Sequence, residues 1–344
     1  MYMGLRGYVA RRSVYTVVLL FFVITLNFFI FEVMPGSPTD FLANPQYLRD
    51  PSQLENAIRI FGLDRPVHER YVIYVRNMLT FNFGYAYGVG TISNTLVSDQ
   101  IASRLANTLI LIGLSSLLAV VIGVFLGVYS ASRRGGAFDS LQVTSSLVWG
   151  SLPTFWIGLV FILIFSTYLG WFPSAHTQPD DWALHPPQLG TLFAPNWSGV
   201  QEFIFGRMRH AILPVAVLSL FQYGGFLLLT RATMIESLTE DYVLTARAKG
   251  LRERTVLFRH ALKNASLPLI TSIALTIGFI FSGAIITETV FSWSGLGRWI
   301  FDAIGTNDYP SLQAIFFIIA LMVIIANFIA DLALGIIDPR IKYG

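Results

Sequence analysis

The chain has 344 residues, of which 54% are hydrophobic and 12% charged, with a formal charge of +3 and a mean hydropathy of +0.62. Soluble domains carry about 25% charged residues, so the composition argues against a water-soluble fold, and the small positive charge argues against a nucleic-acid partner. Cysteine is absent, which removes disulfides, thiolate zinc sites and cysteine nucleophiles.

In chain order, Arg11 and Arg12 precede an apolar run over 13–31, an arrangement shared with secretory signals. The run is longer than a signal core, and Glu32-Val33-Met34-Pro35-Gly36 offers no small-x-small cleavage pattern, so it reads as a retained first span. A helix rising about 1.5 Å per residue needs about 20 apolar residues to cross about 30 Å of hydrocarbon. Runs over 106–130, 141–170, 211–230, 267–287 and 312–337 meet that length as well. The expected fold class is an all-α polytopic membrane protein with six transmembrane helices. The stretch 34–105 is too long for a turn and carries helical patterns at 51–61 and 66–79, which predicts a small external cap. The connection 171–210 is rich in Pro, Trp and Asp and predicts irregular structure with a helix near 200–208. Within it, Asn196-Trp197-Ser198 matches a glycosylation acceptor, a pattern that chance also produces.

Fourteen of the 23 Lys and Arg fall in the 65 residues of 1–12, 131–140, 231–266 and 338–344. Positive residues accumulate in cytoplasmic loops, so these pieces, both termini included, are expected inside. The organisation this implies is an amino-terminal segment, 1–105, with the first span and the cap, then a five-helix membrane domain, 106–344.

The most informative polar segment is 240–262. Thr239 suits an N-cap, Glu240 and Asp241 suit a first turn, and Arg247 and Lys249 precede a terminating Gly250, which fits the helix dipole at both ends. Thr245, Ala246 and Ala248 are small enough to allow close approach by another surface. From the residues alone, such a helix either lies on anionic headgroups or contacts a partner. Elsewhere, Glu32 and Glu288 sit at the external ends of spans, where carboxylates reach water. Asp331 lies within the last span and predicts a structural or inter-subunit contact before a proton relay. His68, His176, His185, His210 and His260 lack metal-ligand spacing, and no metal site is expected. Gly278, Ser282 and Gly283 have helix-packing spacing, with a substrate path as the alternative reading. None of the three lysines follows a glycine, so a Walker A loop is impossible.

The segment resembles binding-protein-dependent ABC permeases, whose shared signature is Glu-Ala-Ala, three residues, Gly, nine residues, Ile-x-Leu-Pro. Gly250, Ala246 and Leu262 match it; Leu244, Thr245, His260 and Lys263 depart from it. The narrower pattern Asp241-Tyr242-Val243-Leu244-Thr245-Ala246-Arg247-Ala248-Lys249-Gly250-Leu251, followed by Arg259-His260-Ala261-Leu262-Lys263-Asn264-Ala265, is similar to the dipeptide and oligopeptide permease family in its first-permease branch. Further matches are Gly62-Leu63-Asp64-Arg65-Pro66, Asn82-Phe83-Gly84, Ser132-Arg133-Arg134-Gly135, Pro153-Thr154-Phe155-Trp156, the stretch from Thr287 to Gly297, and Asp338-Pro339-Arg340. Ser294 stands where the family usually has Pro.

The resemblance implies the type I ABC importer fold in the cell membrane, with the coupling helix at Asp241, Tyr242, Thr245, Ala246, Arg247, Ala248, Lys249, Gly250 and Leu251. It implies as partners a second homologous permease, two ABC ATPase subunits that bind ATP and magnesium, and an extracytoplasmic solute-binding protein. No cofactor or catalytic residue is implied in this chain itself. The implied cargo is a dipeptide or oligopeptide, with oligosaccharides or nickel as alternatives. Rival classes are an ion-driven secondary transporter, for which Asp331 is the sole strong intramembrane charge, and a membrane-embedded enzyme, which would need clustered His, Cys or acidic residues in the spans.

Overall fold

The computed structural model describes residues 5–33, 58–60, 62–86, 95–191, 194–279 and 284–337. The chain runs α1 (Leu5–Val33), α2 (Val67–Leu79), α3 (Val97–Ser132), α4 (Ala137–Ser151) and α5 (Thr154–Phe161), the last widening into a π-helical stretch, Ile162–Tyr168. After an irregular connection come α6 (Trp197–Leu238) and α7 (Asp241–Ala248), then a helical turn, Glu253–Thr255, that widens into a second π-helical stretch, Val256–Ala261. α8 (Leu262–Phe279), α9 (Ile285–Val290), α10 (Leu296–Gly305) and α11 (Tyr309–Ile337) follow. Among the described residues, strand pairing is limited to an antiparallel ladder of Gly190–Thr191 with Ala194–Pro195, Gly190 opposite Pro195, and a bridge between Tyr85 and Leu96.

Among the described residues, four helical stretches, Val9–Glu32, Val97–Ser132, Trp197–Leu238 and Tyr309–Leu332, are long and apolar enough to cross a bilayer, and Ala137–Ser151 with Thr154–Tyr168 makes a fifth if that bent pair is one span. The chain is thus an all-α polytopic membrane protein. The fifth run predicted from the sequence, 267–287, covers α8 and part of α9, with 280–283 outside the described residues. The predicted cap helix at 66–79 is α2; 51–57, the first part of the other predicted cap helix, lies outside the described residues.

Two predicted spans differ in shape. The run 141–170 is broken by 99° at Leu152 and Pro153, where Leu152 is extended at ψ 136°. Proline supplies no N–H and pushes its predecessor out of the helical region. The run 211–230 is only the apolar middle of α6, whose 42 residues span about 63 Å at 1.5 Å each. Hydropathy marks the part that suits lipid, whereas the helix continues through the polar sequence on both sides, absorbing the helix predicted near 200–208.

The described chain divides into two compact units. In the first, which contains α1, α2, α10 and α11, Ile24, Phe28 and Phe31 of α1 share a buried cluster with Tyr74 and Met78 of α2 and with Trp299, Leu312, Ile315 and Phe317. Polar groups inside it are matched: Asn27 donates to the Tyr74 hydroxyl at 2.7 Å and to the Gln313 carbonyl at 3.1 Å. Arg70 pairs with Glu32; burial lowers this guanidinium from its ordinary value. Glu32 is therefore held by an ion pair at the end of α1. At the other end of α1, Arg12 meets Asp331 of α11 at 2.7 Å, which gives that carboxylate the structural contact expected of it. Asp308 precedes α11 as a cap, accepting the Ser311 N–H at 3.2 Å and the Ser311 hydroxyl at 2.7 Å.

The second unit contains α4 to α7 and most of α3 and α8. Its helices approach closely at glycines. A Cβ on Gly123 would lie 2.7 Å from the Tyr223 carbonyl oxygen, and one on Gly127 would lie 2.6 Å from Thr230 Cβ and 2.8 Å from the Leu227 carbonyl oxygen. On another face of α6, a Cβ on Gly224 would lie 2.8 Å from the Ser146 carbonyl oxygen of α4. Small residues let backbones meet in lipid, where hydrophobic driving force between helices is lacking. Hydroxyls complete the contact: the Ser219 hydroxyl is shared between the Val215 carbonyl of its own helix at 2.7 Å and the Ser115 carbonyl at 3.1 Å, and Ser116 donates to Gln222 Oε1 at 3.1 Å.

Gly113, also in α3, has open space at its Cβ position. Gly127→Ala should therefore destabilise the detergent-solubilised protein by about 1–3 kcal/mol through overpacking. Gly113→Ala should instead be neutral or stabilising by up to about 1 kcal/mol. Thermal unfolding followed by circular dichroism distinguishes the two; equal melting shifts would contradict the packing described.

Candidate functional site

α7 is a short helix with a definite start and stop. Glu240 is its N-cap, extended at ψ 148°, and Asp241 lies in the first turn. Thr239, the N-cap expected from the sequence, instead ends α6, its hydroxyl donating to the Glu236 carbonyl at 2.7 Å. The difference arises because α6 continues to Leu238, which leaves Thr239 on the trailing side of the corner. At the far end Gly250 adopts φ +72°. Its N–H donates to the Arg247 carbonyl at 2.9 Å, and the Leu251 N–H reaches the Ala246 carbonyl at 3.4 Å. This pair of bonds is the Schellman closure, which needs a left-handed residue where Gly250 stands.

The faces of α7 are distinct. Val243 and Ala246 are buried, in one cluster with Val128 and Ala131 of α3, Met234 of α6, Val256, Leu257 and Ala261 of the π-helical stretch, and Ala265 of α8. Burying a side chain such as Val243 contributes about 1.5–3 kcal/mol, enough to seat so short a helix firmly. Ala246 thus uses its small size against this chain's own core. Asp241, Thr245, Arg247, Ala248, Lys249, Gly250 and Leu251 are exposed, as is Leu244, while Tyr242 is half-buried with its hydroxyl bonded to Ser237. The Thr245 hydroxyl folds back onto the Asp241 carbonyl at 3.0 Å. Arg247 ties the helix to the next turn through Glu253 at 2.8 Å, and that carboxylate raises the guanidinium further above its ordinary value.

A second polar cluster, not singled out in the sequence, fixes the base on which α7 sits. Asp139, in the first turn of α4, is 3% exposed. It accepts a bidentate pair from Arg231 of α6, Nε to Oδ1 at 2.6 Å and Nη2 to Oδ2 at 2.7 Å, together with the Ser130 hydroxyl and the Gly135 N–H at 2.9 Å. Gly135 has φ +77°, so the turn through Arg133 and Arg134 is shaped to aim its amide at the carboxylate. A forked Arg–carboxylate pair with its remaining lone pairs occupied is among the strongest polar contacts a protein makes. The ends of α3, α4 and α6 are joined at this one side chain.

The remaining candidates fall elsewhere. Gly278 lies in the last turns of α8, and Ser282 and Gly283 lie outside the described residues. Glu288 corrects its expectation, being 0% exposed. It sits in the six-residue α9, and its carbonyl accepts the Trp293 N–H at 2.8 Å. Among the described residues, no group of three or more His, Asp or Glu could hold a metal ion.

Fold and site together define a class: a polytopic membrane protein presenting a short, polar-faced helix between α6 and α8. Residues 123–343 match the model for the inner membrane component of binding-protein-dependent transport systems, and residues 5–112 match that for the N-terminal part of such components. The chain belongs to this family and is a permease component of an ABC importer. It is 35% identical over 337 residues to the di/tripeptide transport system permease protein DppB of Pseudomonas aeruginosa, covering 98% of this chain and 99% of that one. The oligopeptide transport system permease protein AppB of Bacillus subtilis is also 35% identical, with the same coverage. The dipeptide transport system permease protein DppB of Escherichia coli is 34% identical over 322 residues, 92% of this chain and 93% of that one.

Asp139→Ala would leave Arg231 facing a site without its charge partner, and should cost about 3 kcal/mol, the lower end for a broken buried pair because Arg231 remains partly exposed. Arg247→Ala, at an exposed pair, should cost no more than about 1 kcal/mol. Urea or thermal unfolding in detergent measures both, and a smaller loss for Asp139→Ala than for Arg247→Ala would contradict the assignment.

Proposed function

We propose that this chain forms half of the translocation path of an importer for dipeptides or oligopeptides, and that α7 with Gly250 and Leu251 is where an ATPase subunit acts on it. The observation that carries the reading is the construction of α7. A short helix closed at its carboxyl end by the Schellman pair turns Asp241, Leu244, Thr245, Arg247 and Ala248 outward, while Val243 and Ala246 root it in the ends of α3, α6 and α8. A displacement imposed on its outer face is delivered to several spans at once, and packed interfaces of this kind switch between discrete arrangements.

In this reading two ATPases bind ATP and magnesium, a second homologous permease completes the path, and an extracytoplasmic protein delivers the solute. Both termini and α7 are cytoplasmic; the bias of Lys and Arg supports this orientation, and so does the Arg12–Asp331 pair, which brings the beginning of α1 and the end of α11 together. The chain divides into 1–105, with the first span and the cap, and a permease domain, 106–344. The names of the similar permeases, which specify di/tripeptide, oligopeptide and dipeptide transport, support peptides as cargo.

The test is reconstitution of the whole importer in vesicles with internal ATP and collapsed ion gradients, offering tritiated dialanine, nickel ion or maltotriose. Dialanine should accumulate; uptake only of another solute would overturn the cargo, and uptake that requires an ion gradient would overturn the ATP-driven reading. In the same vesicles Gly250→Leu should keep ATP hydrolysis while lowering uptake about tenfold, the consequence of roughly 1.4 kcal/mol of left-handed strain at the α7 terminus. Gly250→Asn, which tolerates positive φ, should retain most of the uptake. Full uptake by Gly250→Leu would remove α7 from the mechanism.

A further inference from the structure

The polypeptide makes a sharp corner between α6 and α7, and Ser237 lies just inside it. Ser237 is 6% exposed. Its hydroxyl donates to the Ala261 carbonyl at 2.9 Å and is also bonded to the Tyr242 hydroxyl. A serine carries one hydroxyl proton. With that proton committed to Ala261, Tyr242 must donate to Ser237, so the three groups form a directed chain from the Tyr242 hydroxyl through Ser237 Oγ to the Ala261 carbonyl. Each bond polarises the next in such a chain.

Its three members belong to three different elements. Ser237 is in the last turn of α6, Tyr242 is in the first turn of α7, and Ala261 is the last residue of the π-helical stretch that leads into α8. The contact spans a place where packing is open, beside a hollow of about 390 Å³ lined by Ser237, Tyr242, Ala265 and Pro268 among others. Val243, Ala246 and Met234 share a buried apolar cluster with Ala261. The hydroxyl chain is thus the polar half of a joint whose other half is apolar.

The π-helical register adds to the consequence. The Leu262 N–H bonds to the Leu257 carbonyl, five residues back. Short π-helical segments inside α-helices concentrate at functional sites, and a one-residue change of register there would turn everything beyond it by about 100°. A bond to the carbonyl of Ala261 holds the junction between the two registers.

We infer that Ser237 is a positioning residue for transport: it locks α7 to the end of α6 and to the entry of α8, so that a push on α7 moves both spans together. The inference rests on the reading of α7 as the ATPase contact. Removing the lock leaves the outer face of α7 intact and so leaves the ATPases able to dock and turn over. What is lost is delivery of the motion to the spans.

The test compares variants of the complete importer in vesicles, reading solute accumulated per phosphate released, with whichever of dialanine, nickel ion or maltotriose the unaltered vesicles accumulate. Ser237→Ala should retain ATP hydrolysis and lower the ratio about three- to tenfold, the equilibrium effect of one or two hydrogen bonds. Ser237→Thr, which keeps the hydroxyl, should restore most of the ratio. Tyr242→Phe should lower it by a smaller factor, and adding Tyr242→Phe to Ser237→Ala should lower it no further, since residues in one network are not additive. An unchanged ratio in Ser237→Ala, or in Tyr242→Phe if Ser237→Ala does not assemble, overturns the inference. Gly250→Leu, run alongside, separates the two levels: if it uncouples and Ser237→Ala does not, α7 stands as the contact and the Ser237 lock falls. If neither uncouples, the reading of α7 falls as well.

Discussion

Two helices whose backbones nearly touch set the terms for the second unit. Gly123 and Gly127 present bare α3 backbone to α6 at positions where a Cβ would meet Tyr223, Leu227 and Thr230 at under 3 Å. Lipid chains solvate leucine as well as another leucine does, so helices in a bilayer gain by close fit and by polar contacts, both of which need the backbones near. Ser219 and Ser116 make such contacts because the glycines allow them. Further along the same pair of helices, Val128 and Ala131 of α3 come level with Met234 of α6, and this shared floor carries α7.

The polar end of the bundle is built on that floor with a different logic. Asp139 satisfies Arg231, Ser130 and the Gly135 amide together, so the turn after α3 and the start of α4 are fixed to α6 by one carboxylate. Buried charge is costly unless it is fully partnered, and here both carboxylate oxygens are used. The cluster gives α7 a stiff support, whereas the corner at Ser237 lies beside open space. Stiffness below and room beside are compatible with an element that shifts as a body and does not unwind.

The sequence and the structure agree where a single residue type has a single physical meaning. Gly250 after Arg247 and Lys249 announces a helix end, and its positive φ is the reason glycine is there. The apolar runs announce spans because no other environment suits them. Agreement fails where meaning depends on a neighbour distant in the chain. Gly113 and Gly127 look alike within α3, yet one faces open space and the other faces α6. Thr239 and Glu240 both suit the start of a helix, and only the extent of α6 decides between them. Asp139 and Arg231 are 92 positions apart and share no local pattern. Ser237 sits in an ordinary polar stretch, with nothing in its own vicinity to indicate the Ala261 carbonyl. Glu288 has the residue type of a water-facing span end, and only the packing around α9 buries it.

The closure of α7 has one further consequence, which concerns handedness. A Cβ on Gly250 would meet nothing within 4 Å, so crowding places no restriction on that position; the restriction comes from φ alone. Most L-residues are built for the mirror region of backbone space, asparagine being the readiest exception, and a D-residue would enter this turn without strain. The end of the helix is therefore occupied by the one natural amino acid that has no hand, and the preference at the position is written in the backbone and not in any contact the side chain could make.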